Sequence, residues 1–136
     1  MYRIEKTYTD FNGVERTESF YFHLSEAELV EMEMGIEGGL VEMIEKIVAA
    51  KDAPNLIKIF KELVLKAYGE KSADGKHFRK SDEISTAFSQ TKVYSDIFME
   101  LAFDDTAASK FVNGIIPADL HKNKYLAKHN QSASAN

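Results

Sequence analysis

The residues of this chain able to do chemistry are four histidines, a few clustered carboxylates and one short basic run. His23, His77, His121 and His129 lie far apart. A zinc site on a helix needs ligands at i and i+4, or a third ligand close by; His121 and His129 are eight apart and have neither. All four read as solvated or edge histidines. Asp104 and Asp105, with Asp96 and Glu100 one helix earlier, have the composition of a carboxylate cation site. A simpler reading accounts for them: negative charge at the positive end of a helix dipole, plus solvated residues on a helix face. Lys76, His77, Arg79 and Lys80, with Phe78 among them, mix basic and aromatic side chains as nucleic-acid sites do. The run is short and sits on a polar connector, so a solvated loop is the preferred reading. Gly38-Gly39 lacks both the strand-to-helix setting and the lysine of a phosphate loop, and is read as punctuation. Neither G-x-S-x-G nor H-E-x-x-H occurs. The chain is therefore read as non-enzymatic, with no cofactor and no metal.

Bulk properties narrow the classes further. A chain of 136 residues is about one domain long, and a domain of that size buries roughly two-thirds of its unfolded surface without needing a staple. Hydrophobic residues at 44% and charged residues at 29% are ordinary for a globular protein. The absence of cysteine excludes disulfides, thiolate catalysis and cysteine-based metal sites. MYRIEKTYTD is charged from its third residue, and no apolar run reaches the roughly 18 residues of a membrane span. The chain is expected to stay in the cytoplasm where it is made, away from membranes. Net charge is -5, and residues 1–50 hold 4 Lys/Arg against 11 Asp/Glu. An acidic N-terminal half does not favour a polyanion such as nucleic acid.

The elements that must position any site begin with a hairpin. Segments 2–10 and 14–23 are rich in Tyr, Phe, Thr and β-branched residues and flank Phe11-Asn12-Gly13. A two-residue loop mixes polar and apolar residues on one face. A three-residue loop with Gly13 left-handed pairs Tyr2 with Phe22, Ile4 with Phe20, Lys6 with Glu18 and Tyr8 with Arg16. That register gives a coherent apolar face and a Lys6–Glu18 ion pair across the strands, and is preferred. A lone hairpin is marginal in water, so this face is expected to rest on helices.

Ser25 and Glu28 form a capping box that opens a helix to about Met34. Leu40, Met43, Ile44, Ile47 and Val48 carry the next apolar stripe. Asp52 caps a third helix over 54–68, with Pro54 in its first turn and Gly69 as a left-handed terminator. Asp74-Gly75 marks a connector able to form a small hairpin. Ser81 then caps a helix carrying Ile84 and Phe88. Tyr94, Ile97, Phe98 and Leu101 follow at i, i+3, i+4 and i+7, and Ala108, Phe111, Val112 and Ile115 repeat that spacing one helix later. The stretch 81–117 is thus both a core wall and a candidate groove. Phe98, Leu101, Phe111 and Ile115 are the candidate partner-binding residues from helical spacing, and Met32, Met34, Met43 and Met99 add adaptable apolar surface. Expected overall is one α+β domain, mainly helical, over 1–117: a hairpin over 2–23 packed on about five or six helices over 25–117. A flexible tail over 118–136 follows.

Several stretches together resemble a known family. DFNGVERTESFYFHLSEAELVEMEM, the following GGL, IKIFKELVLKAYGEKSADGKHFRKS, AFSQTKVYSDIFMEL and FVNGIIP, in that order, are similar to tail assembly chaperones of long-tailed phages and prophages of Gram-positive bacteria. The resemblance spans nearly all of 2–117. It implies a non-enzymatic assembly factor of the bacterial cytoplasm that coats the helical, apolar tape measure protein, keeps it soluble, helps recruit tail tube subunits and leaves the finished virion. Many such chaperones also exist in a longer, frameshifted form. Amphipathic helices presenting apolar grooves suit a helical client, and several copies along a filament, as a homo-oligomer, multiply weak contacts. A structural tail or head-tail connector subunit is the alternative from another class. A small nucleic-acid-binding regulator using residues 76–80 is a third.

Overall fold

The computed structural model describes residues 1–35, 39, 49 and 52–115. The helix expected over 40–48 and the tail expected over 118–136, with Pro117 before it, lie outside the described residues. The elements run β1 (Tyr2–Thr9), β2 (Glu15–Phe22), α1 (Glu26–Met34), α2 (Ala53–Ala67), β3 (Tyr68–Lys71), β4 (Phe78–Arg79), α3 (Asp82–Ser89), α4 (Lys92–Phe103) and α5 (Asp105–Ile115). The strands form one antiparallel sheet in the order β1-β2-β3-β4. With five helices among the described residues, the architecture is α+β and mainly helical, as the sequence indicates.

The hairpin adopts the three-residue loop. Asp10 N–H donates to the Val14 carbonyl at 2.9 Å, and Gly13, at φ +80°, donates to the Asp10 carbonyl at 3.0 Å. The Asp10 carboxylate accepts from the backbone N–H groups of Asn12 and Val14, so the turn satisfies its own donors. The resulting register pairs Tyr2 with Phe22 and Ile4 with Phe20. The expected ion pair differs. Lys6 reaches Glu100 on α4, and Glu18 accepts from the Tyr8 hydroxyl, because the helix brings a carboxylate to the same face of the sheet.

That face carries the core. Phe20, Phe22 and Leu24 meet Leu63, Val64 and Ala67 of α2, Phe88 of α3, Val93, Ile97 and Leu101 of α4, and Phe111 and Ile115 of α5. Phe22 is fully buried and touches the rings of Tyr68, Phe88 and Phe111 at centroid distances of 5.4–5.9 Å. Burial of each such ring is worth about 1.5–3 kcal/mol, beyond the directional gain of edge-to-face packing. The opposite face, carrying Arg3, Glu5, Thr7 and Thr9, is exposed. Side-chain caps begin the helices as their sequences require. Ser25 and Glu28 form the reciprocal box, while Asp52, Ser81 and Thr91 each accept from a backbone N–H of their own first turn.

Between α2 and β3 the structure corrects the expected ending. Tyr68 is extended at φ -66°, ψ 138°, so the helix passes directly into a strand, and Gly69 is not left-handed. Its lack of a side chain serves a close approach instead: a Cβ there would lie 2.6 Å from the Phe78 ring and 2.8 Å from the Arg79 carbonyl. Gly69 thereby lets β4 close on β3 while Tyr21 pairs with it from β2.

A charged clamp fixes α1 to the far end of this sheet. Lys80 Nζ donates to both Glu28 carboxylate oxygens, at 2.8 and 2.9 Å, and to the His23 carbonyl. Burial works against the Glu28 carboxylate, but the Lys80 ammonium and the Ser25 N–H outweigh it and hold its pKa below the usual range. Burial pushes Lys80 down, with Glu28 opposing. His23 packs edge-on against Phe78 at 6.3 Å and buries an Nδ1 that finds no hydrogen-bond partner. Burial, then the charges of the N-terminal amine and of Lys80, depress its pKa, against a smaller opposing effect of Glu28.

Two outcomes are expected. Gly69→Ala should cost about 1–3 kcal/mol, the usual penalty of overpacking, seen as a lower urea midpoint at unchanged slope; an unaltered midpoint contradicts the close approach. The second concerns pH. A histidine kept neutral in the fold leaves the unfolded chain to bind the proton, so its contribution is full above the ordinary value of 6.5 and declines as pH falls below it. The contribution of Glu28 is present above its ordinary 4.5 and is lost only below that. The urea midpoint should therefore drop between about pH 7.5 and about pH 5.5, and His23→Gln should flatten that drop. Equal midpoints at both pH values contradict the burial argument.

Candidate functional site

The four candidate partner-binding residues do not share one surface. Leu101, Phe111 and Ile115 lie in the core, with Phe111 packed edge-on against Tyr2 at 5.9 Å and Phe22 at 5.4 Å. Phe98 is half-buried and reaches the surface. The reason lies in the rotation of α4, whose most buried line is Val93, Ile97 and Leu101 at i, i+4 and i+8, with Tyr94 and Phe98 on its shoulder.

Phe98 ends an aromatic ridge. Tyr94 stacks on it at 5.9 Å and meets Phe88 edge-on at 5.5 Å, and Phe88 lies flat on Tyr68 at 3.8 Å and an interplanar angle of 8°. At the Tyr68 end the ridge opens into a groove of about 320 Å³ between β3 and α3. Tyr68, Ile84, Ala87 and Phe88 supply its apolar lining, Glu70 and Glu83 are its exposed carboxylates, and Thr91 stands where α3 gives way to α4. Ile84, Ala87 and Phe88 follow at i, i+3 and i+4 from the Ser81 cap, which is why one helix face lines the groove.

The electrostatics are simple. Burial raises the Tyr68 phenol, helped by Glu70 and Glu18, and burial alone raises Tyr94. Both phenols stay neutral at physiological pH, so the ridge is uncharged and its acidic groups lie at the groove's carboxylates. Such a groove accepts an apolar anchor and favours a lysine or arginine beside it. The sequence carried part of this: the Ile84 and Phe88 stripe was visible. Tyr68 and Glu70 were missed because the place of β3 depends on a two-residue pairing, Tyr21 with Gly69 and Phe22 with Tyr68, across nearly fifty residues, and Ala87 because it lines a groove only once β3 stands beside α3.

The other chemical candidates have structural occupations. Asp96 pairs with Lys92 at 2.7 Å, Glu100 pairs with Lys6, and the Asp104 carboxylate accepts from the N–H groups of Thr106 and Ala107 at the start of α5. Among the described residues no group of three or more His, Asp or Glu is placed to hold a metal ion. Lys80 is tied to Glu28, so the basic run divides and leaves Lys76, His77 and Arg79 exposed. Among the described residues no helix is long and apolar enough to cross a membrane.

Comparison with known families agrees with an assembly role. A family model described as "Phage tail assembly chaperone" matches residues 1–136. No curated protein and no solved structure matches this chain.

Proposed function

The chain belongs to the phage tail assembly chaperone family, and from that premise we propose that it binds the tape measure protein and keeps it soluble during tail assembly. It does so without catalysis, in the cytoplasm of a Gram-positive host of a long-tailed phage or prophage. It leaves before the virion is complete, and tail tube subunits are a second partner recruited to the same complex.

The observation that carries this reading is the ridge from Tyr68 to Phe98 with its groove. A tape measure protein, long and helical, exposes apolar stripes until the tube surrounds it. An apolar residue of such a stripe can seat on Ile84, Ala87 and Tyr68, with a neighbouring lysine or arginine near Glu70 and Glu83. Each contact is modest, which suits a partner that must be released. Phe98, one helical turn beyond Tyr94, extends the same surface along the client. Leu101, Phe111 and Ile115 contribute from beneath, by holding α4 and α5 at the angle that exposes Phe98.

Ala87 offers the clean test because it is exposed and lies on a helix that tolerates glutamate. Co-expressed with a tape measure fragment, the unaltered chain should move the fragment from pellet to supernatant. Ala87→Glu places a third carboxylate in the groove and should return most of the fragment to the pellet, with an unchanged circular dichroism spectrum and urea midpoint. An insoluble fragment beside abundant soluble wild-type chain contradicts the client. Full solubilisation by the variant contradicts the groove.

A further inference from the structure

We propose that the outer edge of β1 is a self-association site, at which two copies of this chain pair their β1 strands antiparallel about a two-fold axis at Ile4. Among the described residues β1 ends the sheet and pairs only with β2. The hairpin closes at Asp10 and Val14. Counting by twos from that pair, Tyr8, Lys6, Ile4 and Tyr2 turn their backbone groups toward β2, and Arg3, Glu5, Thr7 and Thr9 turn theirs away. Eight regular residues without proline or bulge make a template for another strand. Proteins often protect such edges with a charge on the covered face. Lys6 is placed for that, but Glu100 neutralises it.

The strand's own charges choose the occupant and the register. Centring two antiparallel copies on Arg3, Glu5 or Lys6 sets like charges directly opposite each other. Centring on Thr7 leaves Arg3 and Glu5 facing uncharged residues. Centring on Ile4 sets Arg3 of each copy against Glu5 of the other, twice by symmetry, with Ile4 against Ile4 on the helix-covered face. Within one chain Arg3 and Glu5 already meet at 2.8 Å, with both side chains more than half exposed. In the pair they exchange partners, so the charges select register more than they add affinity.

A second observation places apolar surface beside this edge. Glu100 reaches Lys6, so the side of α4 bearing Glu100 is turned to β1. Phe103, three residues on, shares that side and is 71% exposed, and Met99, one turn before it, is 53% exposed. A second copy across the edge would shelter both from water. The surface lies on the other flank of α4 from Phe98, so self-association leaves the client groove open and stands independently of the chaperone reading.

Charge exchange tests the register with the full chain by sedimentation equilibrium. The unaltered chain should show a concentration-dependent dimer. Arg3→Glu and Glu5→Arg, both at exposed positions, should each weaken it by about tenfold or more, because each places like charges at two crossings. An equimolar mixture of the two variants should form a heterodimer near wild-type strength, since opposite charges then meet at every crossing. A monomer at all concentrations overturns the proposal, as does a dimer indifferent to both substitutions. Weakening without rescue in the mixture overturns the register.

Discussion

The contact on which the rest of this molecule depends is the packing of Phe22 under the stacked pair of Phe88 and Tyr68. Phe22 ends the hairpin, Tyr68 begins the strand that doubles the sheet, and Phe88 sits in the first described helix of the C-terminal half. A two-residue ladder between β2 and β3 is weak alone, because so few backbone hydrogen bonds cannot offset the entropy of closing a loop of that length. Three aromatic rings brought together at the junction supply the missing stabilisation. The same stack borders the groove, which half-buried Tyr68 and buried Phe88 both line. Core and candidate surface are thus two sides of one set of rings.

This double use explains what was legible in the amino-acid sequence. Local rules were sufficient wherever the physics is local. The side-chain period and the Asn12-Gly13 turn gave the hairpin register to the residue, and Ser25, Asp52 and Ser81 marked helix starts by what their oxygens can accept. Non-local consequences were illegible. Helical spacing names residues that share a face, but it does not say which part of that face meets the core. Phe98 and Leu101 are neighbours on α4, yet one reaches solvent and the other is buried. Gly69 looked like a helix terminator because glycine after a helix usually is one. Its actual constraint, the closeness of Phe78 and Arg79, comes from a strand ten residues on. Lys6 likewise found Glu100, ninety-four residues away, before the glutamate opposite it.

Charge is arranged so that these surfaces remain distinct. The exposed face of the hairpin carries Arg3 with Glu5, the turn end of the other face carries Arg16 with Asp10, and the Asp10 carboxyl is held below its usual range first by Arg16 and then by the turn N–H of Val14. The ridge carries none, since burial keeps Tyr68 and Tyr94 protonated. Lys80 is withdrawn from the basic run into the clamp with Glu28. An uncharged aromatic strip therefore lies beside two glutamates, with no cation among the groove-lining residues. That arrangement fits an apolar, lysine-bearing helix better than it fits a nucleic acid, whose phosphates Glu70 and Glu83 would repel.

The claim at the centre of this account is that the ridge from Tyr68 to Phe98 is the client surface. Amide hydrogen exchange tests it most directly, comparing the free chain with its complex with a tape measure fragment. The account predicts added protection concentrated in residues 68–70 and 83–98, with the hairpin tip around Asn12 unchanged. Protection confined to the hairpin, or none in 83–98 despite a stable complex, would contradict it.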